Sequence, residues 1–436
     1  MNTSLPDPPG VTSAHGVTVK AGAYLMRFAA IAAGIAIIVA PFRGSAGLRG
    51  AMWVLAGVAI LLAHWRASKL PQLVPPYKLL GIATLLWLLV ATAWSFVSPS
   101  PMESLSVMKR DILTPILACL VFYALTRSRA DMMRWLTVLT LGIVVLSAMV
   151  IREPFNPRAT TWNADYTTVG FLSTWVVTLA PLLALLLFAR PAQNSRARVL
   201  LVIALPCLLI CAWLSGNRTV WVCLALMVAA SMLLGAYGRI ATRLHRRSNA
   251  MLLGLVVVLV SILMAALQYR AQTQATPGTS AFAFLLNDNR APILRVTADM
   301  IGEHPWRGYG YANPEIGDAF PPRLEGQWLK TYVTHAHNLV LNYTLQMGVS
   351  GGVAILVLLA ALLWTFVTRV PLDGLARLAG ICGVALVVGV FLRNMTDDFF
   401  SRHTAQFFGA AIGMLLGLAT HRPPLLAKGL SLRKYA

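Results

Sequence analysis

The sequence predicts an all-α protein, a polytopic transmembrane helical bundle of about 12 spans carrying one large, partly helical loop on its outer side. Three observations lead there. Of 436 residues, 58% are hydrophobic and only 12% are charged. Apolar runs recur at the length that crosses roughly 30 Å of hydrocarbon at about 1.5 Å per residue. The long polar interruption falls at residues 269–348, between the ninth and tenth of these runs.

Residues 1–21 hold Pro6, Pro8 and Pro9 and little apolar content, which predicts a disordered tail. The first apolar run is too long for a secretory signal and lacks its small-residue cleavage pattern, so it is expected to remain as an anchor. Runs near 22–42, 51–65, 79–96, 111–126, 132–151, 168–189, 199–214, 219–236 and 250–267 place nine spans within 22–268. Three more, near 349–368, 378–392 and 404–420, follow the polar segment within 349–420, and 421–436 forms a second tail. On the last span Gly409, Gly413 and Gly417 share a face, a seam for close helix approach within the bundle or between copies.

Cytoplasmic loops retain Lys and Arg during insertion. With the N-terminus inside, the cytoplasmic segments hold 20 Lys/Arg against three acids, Asp7, Asp131 and Asp373, and the outer segments hold 15 against 12. Both termini are therefore expected in the cytoplasm and residues 269–348 outside. The net charge of +21 is spread over short loops instead of one patch, which fits contact with anionic membrane lipid and argues against nucleic acid. All five cysteines (Cys119, Cys207, Cys211, Cys223, Cys382) fall inside spans, so no disulfide framework holds the outer loop. Cys207 and Cys211 share a helix face, but no third metal ligand accompanies them. No repeat of about 20–50 residues relates the two halves, which weighs against a transporter built from similar halves.

Within the outer segment, Pro292 opens a periodic run that predicts a helix over 292–303, ended by His304-Pro305 and by Gly308 and Gly310. A second helix is predicted from Thr334, as N-cap, to Met347, with Gly348, Gly351 and Gly352 separating it from the tenth span. Asn338, Asn342 and Gln346 recur on it at i,i+4 and form a polar stripe, suited to a sugar-bearing ligand or simply to water.

Chemistry-bearing residues gather at the outer edge. Arg218, in Ser215-Gly216-Asn217-Arg218 between the seventh and eighth spans, gains nothing there from the insertion rule. It either snorkels toward lipid phosphate or offers a fixed fork to phosphate oxygens. Arg290 has a similar choice, because the amides opening the loop helix favour an anion while Asp288 neutralises it locally. Arg295 has Asp299 at i+4 as an ordinary partner and joins the weaker substrate-binding candidates. Arg152, Arg158 and Asn163, after the fifth span, combine cations and an amide with neighbouring aromatics, which suits sugar and phosphate contacts.

His335 and His337 flank Ala336 just before Asn338, another substrate-binding candidate. On a helix the two imidazoles would point about 200° apart, so one is expected to face the site and act as a base. Asp397-Asp398, the only acidic pair, lies between Arg393 and Arg402, which are expected to neutralise it; Arg393 is also counted among the substrate contacts. No Asp-x-Asp, Walker loop, Gly-x-Ser-x-Gly or His-Glu-x-x-His occurs. Metal-dependent sugar transfer and nucleotide hydrolysis both lose support, and no metal or cofactor is expected.

Ser215-Gly216-Asn217-Arg218 opening the eighth span, the Arg-led loop helix ending in His304-Pro305-Trp306-Arg307-Gly308-Tyr309-Gly310, and the closing His335-Ala336-His337-Asn338 together resemble the O-antigen ligase and polymerase superfamily. The likeness is strongest to the lipopolysaccharide O-antigen ligases. It covers the topology of most of the chain, while its motifs are confined to residues 210–350. The resemblance implies a glycosyltransferase of the Gram-negative inner membrane, acting at the periplasmic face. Its donor would be O-antigen on undecaprenyl pyrophosphate, its acceptor a hydroxyl of the lipid A-core oligosaccharide, and transfer would invert the anomeric carbon without a metal ion. Carried across residue by residue, His337 matches the base, and Arg218 and Arg290 match arginines around the pyrophosphate. An O-antigen polymerase or an O-linked oligosaccharyltransferase would use similar lipid-linked donors. A secondary transporter, the rival from another class, predicts paired interrupted helices and ionisable groups at midmembrane, unlike candidates gathered at the outer edge.

Overall fold

The computed structural model describes residues 12–42, 44–66, 73–152, 169–188, 194–237, 290–324, 333, 335–372, 374–396, 398 and 400–420. Regular structure among them is helical throughout. The helices are α1 (Thr12–Val39), α2 (Ala46–Arg66), α3 (Lys78–Val97), α4 (Pro101–Met108), α5 (Thr114–Leu125), α6 (Arg129–Arg152), α7 (Val169–Phe188), α8 (Ser195–Leu214) and α9 (Arg218–Tyr237). They continue with α10 (Arg290–Glu303), the short α11 (Glu315–Ala319), α12 (Leu339–Val367), α13 (Gly374–Asn394) and α14 (Arg402–Ala419).

Among the described residues, eight helices, α1, α2, α3, α6, α7, α8, α12 and α13, contain stretches long and apolar enough to cross a membrane, which marks a multi-pass membrane protein. The runs expected near 111–126, 219–236 and 404–420 are also helical, as α5, α9 and α14, but fall outside that set. The run near 250–267 lies outside the described residues. One expectation is corrected at the start: residues 12–21 are helical, not a disordered tail, because no proline follows Pro9 until Pro41.

In α7 and α13, 78% and 72% of the apolar stretch is buried, against 28–33% in α3 and α8, so the first pair lies central and the second faces lipid. Helix α14 is buried along its length and packs on α5. A Cβ at Gly409, Gly413 or Gly417 would overlap the carbonyl oxygen of Pro115, Cys119 or Thr126. Packing within the bundle therefore accounts for this glycine seam.

Helices α4 and α5 are joined without a break by a π-helical turn, Lys109–Leu113. Its cause is Pro115, which lacks an N–H and whose ring would strike the carbonyl four residues back, that of Asp111. The wider turn absorbs the conflict: the Thr114 N–H and its Oγ1 (2.8 Å) both bond the Lys109 carbonyl. It also carries Arg110 and Asp111 at the end of the bundle where the loops converge.

Candidate active site

Helix α12 organises that end. Its ladder breaks at Met347 and Gly348 (φ 62°, ψ −168°), where the glycines predicted a separation. The turn at 304–310, read from the sequence only as a helix breaker, docks into the gap. Tyr309 N–H donates to Leu345 O (2.9 Å), Gly310 N–H to Gln346 O (2.9 Å), and Val349 N–H donates back to Pro305 O (2.8 Å). Both partners need glycine for this approach: a Cβ on Gly308 would lie 2.6 Å from Gln346 O, and one on Gly348 would overlap Trp306 O. Beneath the clasp, Ile293, Val296 and Met300 of α10 pack with Ile316, Phe320 and Leu345 as a small separate core. That core explains the apolar periodicity of α10.

The two histidines correct the expected geometry. Thr334 lies outside the described residues, and residues 335–337 are not helical; α12 starts at Leu339, and its N-cap is Asn338, whose side chain accepts from Leu341 N–H (3.0 Å). With residues 335–337 in irregular backbone, the rings of His335 and His337 do not diverge but stack, with centroids 4.0 Å apart. His337 N–H donates to His335 Nδ1 (3.2 Å), and since a backbone N–H only donates, this contact requires a lone pair on that nitrogen. His337 has φ 50° and a buried Nε2. Among the described residues, the other left-handed non-glycine ones, Ala312 and Arg402, lie at the same end, the kind of backbone strain that a rigid surround sustains at functional sites.

The polar stripe of α12 is engaged by protein. Asn338 Nδ2 donates to Met395 O (3.0 Å), Asn342 Nδ2 donates to the Asp398 carboxylate, and Gln346 Oε1 accepts from Ala312 N–H (2.9 Å). Between this stripe, the segment around Tyr311 and the π turn lies a cavity of about 450 Å³. His335 lines it, together with Arg110, Asp111, Tyr311, Asn342 and Asp398. Asp111 accepts from Arg110 Nε (2.9 Å) and from Arg402 N–H (2.9 Å), fastening the π turn to α14. Burial, and then the charge of Asp111, hold the Tyr311 phenol well above its usual range, so at neutral pH it remains an O–H. Arg110, Asp111 and Tyr311 escaped the sequence reading; Pro115 inside an apolar run was the available signal of a distorted helix there.

An apolar groove of about 300 Å³ runs between α3, α5, α12 and α14 and meets this cavity at Asp111 and Phe400. Its walls include Leu80, Leu85, Ile116, Leu358 and Ile412. A lipid tail and a polar head thus have adjoining spaces.

The arginines separate into groups. Arg393, expected beside Asp397-Asp398 and substrate, is fully buried in the last turn of α13 and turned toward α7. Its Nε donates to Ser173 Oγ (2.8 Å) and its Nη2 to Gly170 O (3.2 Å), contacts that brace α13 against α7. Asn217 Nδ2 reaches the same Ser173 Oγ (3.3 Å), while Asn217 Oδ1 caps Thr219 N–H (3.0 Å) at the start of α9. This chain fixes the turn that carries Arg218. Arg218 and Arg290 are the first residues of α9 and α10, and their side chains lie outside the described atoms. Arg295 and Arg152 are exposed, and no ion pair joins Arg295 to Asp299. Arg158, Asn163 and Asp397 lie outside the described residues.

Residues 181–356 match the family model described as O-Antigen ligase. The matched stretch is under half of the chain, and the match supports an O-antigen ligase family assignment. Members of this family are membrane glycosyltransferase-like enzymes, ligases and polymerases. The matched stretch contains Arg218, Arg290, Arg295, His335, His337 and Asn338, and it ends past the break in α12. Arg110, Asp111, Arg393 and Asp398 fall outside it. No curated protein matched the chain.

Proposed function

We propose that this chain belongs to the O-antigen ligase family and transfers O-antigen glycan from undecaprenyl pyrophosphate to a hydroxyl of the lipid A-core oligosaccharide, inverting the anomeric carbon without a metal ion. The reaction takes place at the periplasmic face of the bacterial inner membrane, in a chain of twelve spans with both termini in the cytoplasm. The observation that carries this reading is the stacked pair His335 and His337, set within the matched stretch beside a polar cavity that adjoins an apolar groove.

In the proposed mechanism His337 accepts the proton of the attacking hydroxyl as its oxygen bonds to the anomeric carbon. The bond from that carbon to the pyrophosphate oxygen breaks on the opposite face, and its electron pair leaves with the pyrophosphate. Arg218 and Arg290 offset the charge that develops there, a task that a divalent ion performs elsewhere. Both open helices, whose N-terminal amides add partial positive charge. His335 positions the base through the stack and through its contact with the His337 N–H.

The test is reconstitution: purified protein, lipid-linked glycan and lipid A-core are mixed in chelator and resolved on a gel. Capped lipopolysaccharide is expected. Lengthening of the lipid-linked glycan with no capped product would make the chain a polymerase, and no transfer of any kind would overturn the reading.

A further inference from the structure

We propose that the 450 Å³ cavity between the π turn and α12 is a sugar-binding subsite, which accepts a neutral, hydroxyl-rich ring and excludes pyrophosphate. This deepens the function proposed above and rests on it for the role of the neighbouring His337. The volume lies in the range of small-molecule pockets, about 300–1,000 Å³.

The charge of the lining selects the ligand class. Among the described lining residues, three carboxylates, Asp111, Asp318 and Asp398, stand with one guanidinium, Arg110, which is itself paired with Asp111. Such a lining repels phosphate, whereas sugar hydroxyls donate to carboxylates in charge-assisted bonds. A divalent cation is a poorer fit, since among the described residues no three His, Cys, Asp or Glu side chains group as a metal set. Asn342 and Gln346, each with one end of its amide already bonded within the protein, line the cavity as well, as do the aromatic residues Tyr343 and Phe400. His335 lines the cavity and stacks on His337, so a ring bound here lies beside the base. The π turn presents both Arg110 and Asp111 to the cavity.

Binding is measured first, without donor lipid, on His337→Ala protein in detergent, so that failure of the transfer chemistry and failure of the subsite are read separately. The probes are free glucose, galactose and N-acetylglucosamine, followed by saturation-transfer NMR, with inorganic pyrophosphate as competitor. Saturable binding of at least one sugar is expected, unaffected by pyrophosphate. Asp398→Asn, nearly isosteric, should weaken it about tenfold, the loss of roughly one hydrogen bond to a charged group. Val107→Trp, which fills the cavity from α4 without removing a polar partner, should weaken it too, and a thermal melt checks that both variants are folded. In the transfer assay on otherwise wild-type protein, a raised KM for the acceptor alone assigns the subsite to the acceptor sugar. A raised KM for the donor alone assigns it to the donor glycan. Absence of saturable sugar binding, binding undiminished in both folded variants, or displacement by pyrophosphate would each overturn the proposal.

Discussion

Replacing Gly348 by alanine tests whether the break in α12 is required by the clasp it receives. At φ 62° and ψ −168° the residue occupies a region open essentially to glycine, and an L-residue forced there costs about 1–3 kcal/mol. The new Cβ would also overlap the Trp306 carbonyl and lie 2.8 Å from Pro305 O; these are backbone atoms, which cannot swing aside as a side chain does. Relief requires the 304–310 turn to lift, which threatens three backbone hydrogen bonds worth roughly 0.5–1.5 kcal/mol each. A loss of several kcal/mol, local to the clasp, is expected. Two assays read it: the thermal midpoint in detergent, and hydrogen exchange at the amides of Tyr309, Gly310 and Val349, which should speed up while α13 and α14 stay protected. Gly302→Ala is the control, because it lies in helical α10 with nothing within 4 Å of a new Cβ and should be neutral or slightly stabilising. If Gly348→Ala melts and exchanges like the Gly302→Ala control, the clasp does not depend on the glycine.

Arg218→Lys and Arg290→Lys, each at normal expression, are expected to lose transfer despite keeping the charge, because a lysine lacks the planar fork; near-normal gels for both would reduce the pair to generic charge. His337→Ala should cut transfer by about 10²–10⁴-fold with donor binding retained, and His335→Ala by roughly tenfold through loss of the contact that places the base, as read by kcat at saturating substrates. Activity should survive exhaustive EDTA treatment; loss restored by added Mg²⁺ or Mn²⁺ would point to Asp397 and Asp398 as ligands. On the clasp, the hydrogen bonds from Arg323 (2.7 Å) and Tyr309 (2.7 Å) hold the Glu303 carboxyl below its ordinary 4.5. Because the folded value is the lower one, this contribution is present above that ordinary value and fades as pH falls through the folded one. A melting titration should therefore show a small acid destabilisation that Glu303→Gln removes.

Apolar runs made the long helices readable, because a span must satisfy its backbone internally and show a length set by the bilayer. The break at Met347 and Gly348 was equally legible, since glycines follow a periodic run there. The irregular stretch before it was not: Thr334 looked like an N-cap, but Asn338 holds that role, and a four-residue shift turned two histidines expected to diverge into a stacked pair. Arg393 bonds to α7, a neighbour that its proximity in sequence to Asp397-Asp398 could not reveal. Arg110 and Asp111 were overlooked because they belong to a run that reads as ordinary span, and their placement depends on partners some 200 to 290 residues away, Tyr311 and Arg402. Arg218 and Arg290 were singled out by chemistry and motif, and the structure places each as the first residue of a helix.

The π turn has a consequence for how this helix tolerates insertions and deletions. One residue of α-helix advances the side-chain azimuth by about 100°. Since the turn Lys109–Leu113 holds one residue more than α pitch allows, it acts as a phase shifter: α5 keeps its face against the glycines of α14 while α4 keeps its own angular setting, with Ser104 Oγ on Tyr311 O (2.6 Å). Deleting a single residue there would not shorten the helix so much as rotate one half against the other. Either the glycine seam or the pair Arg110 and Asp111 would then face the wrong way.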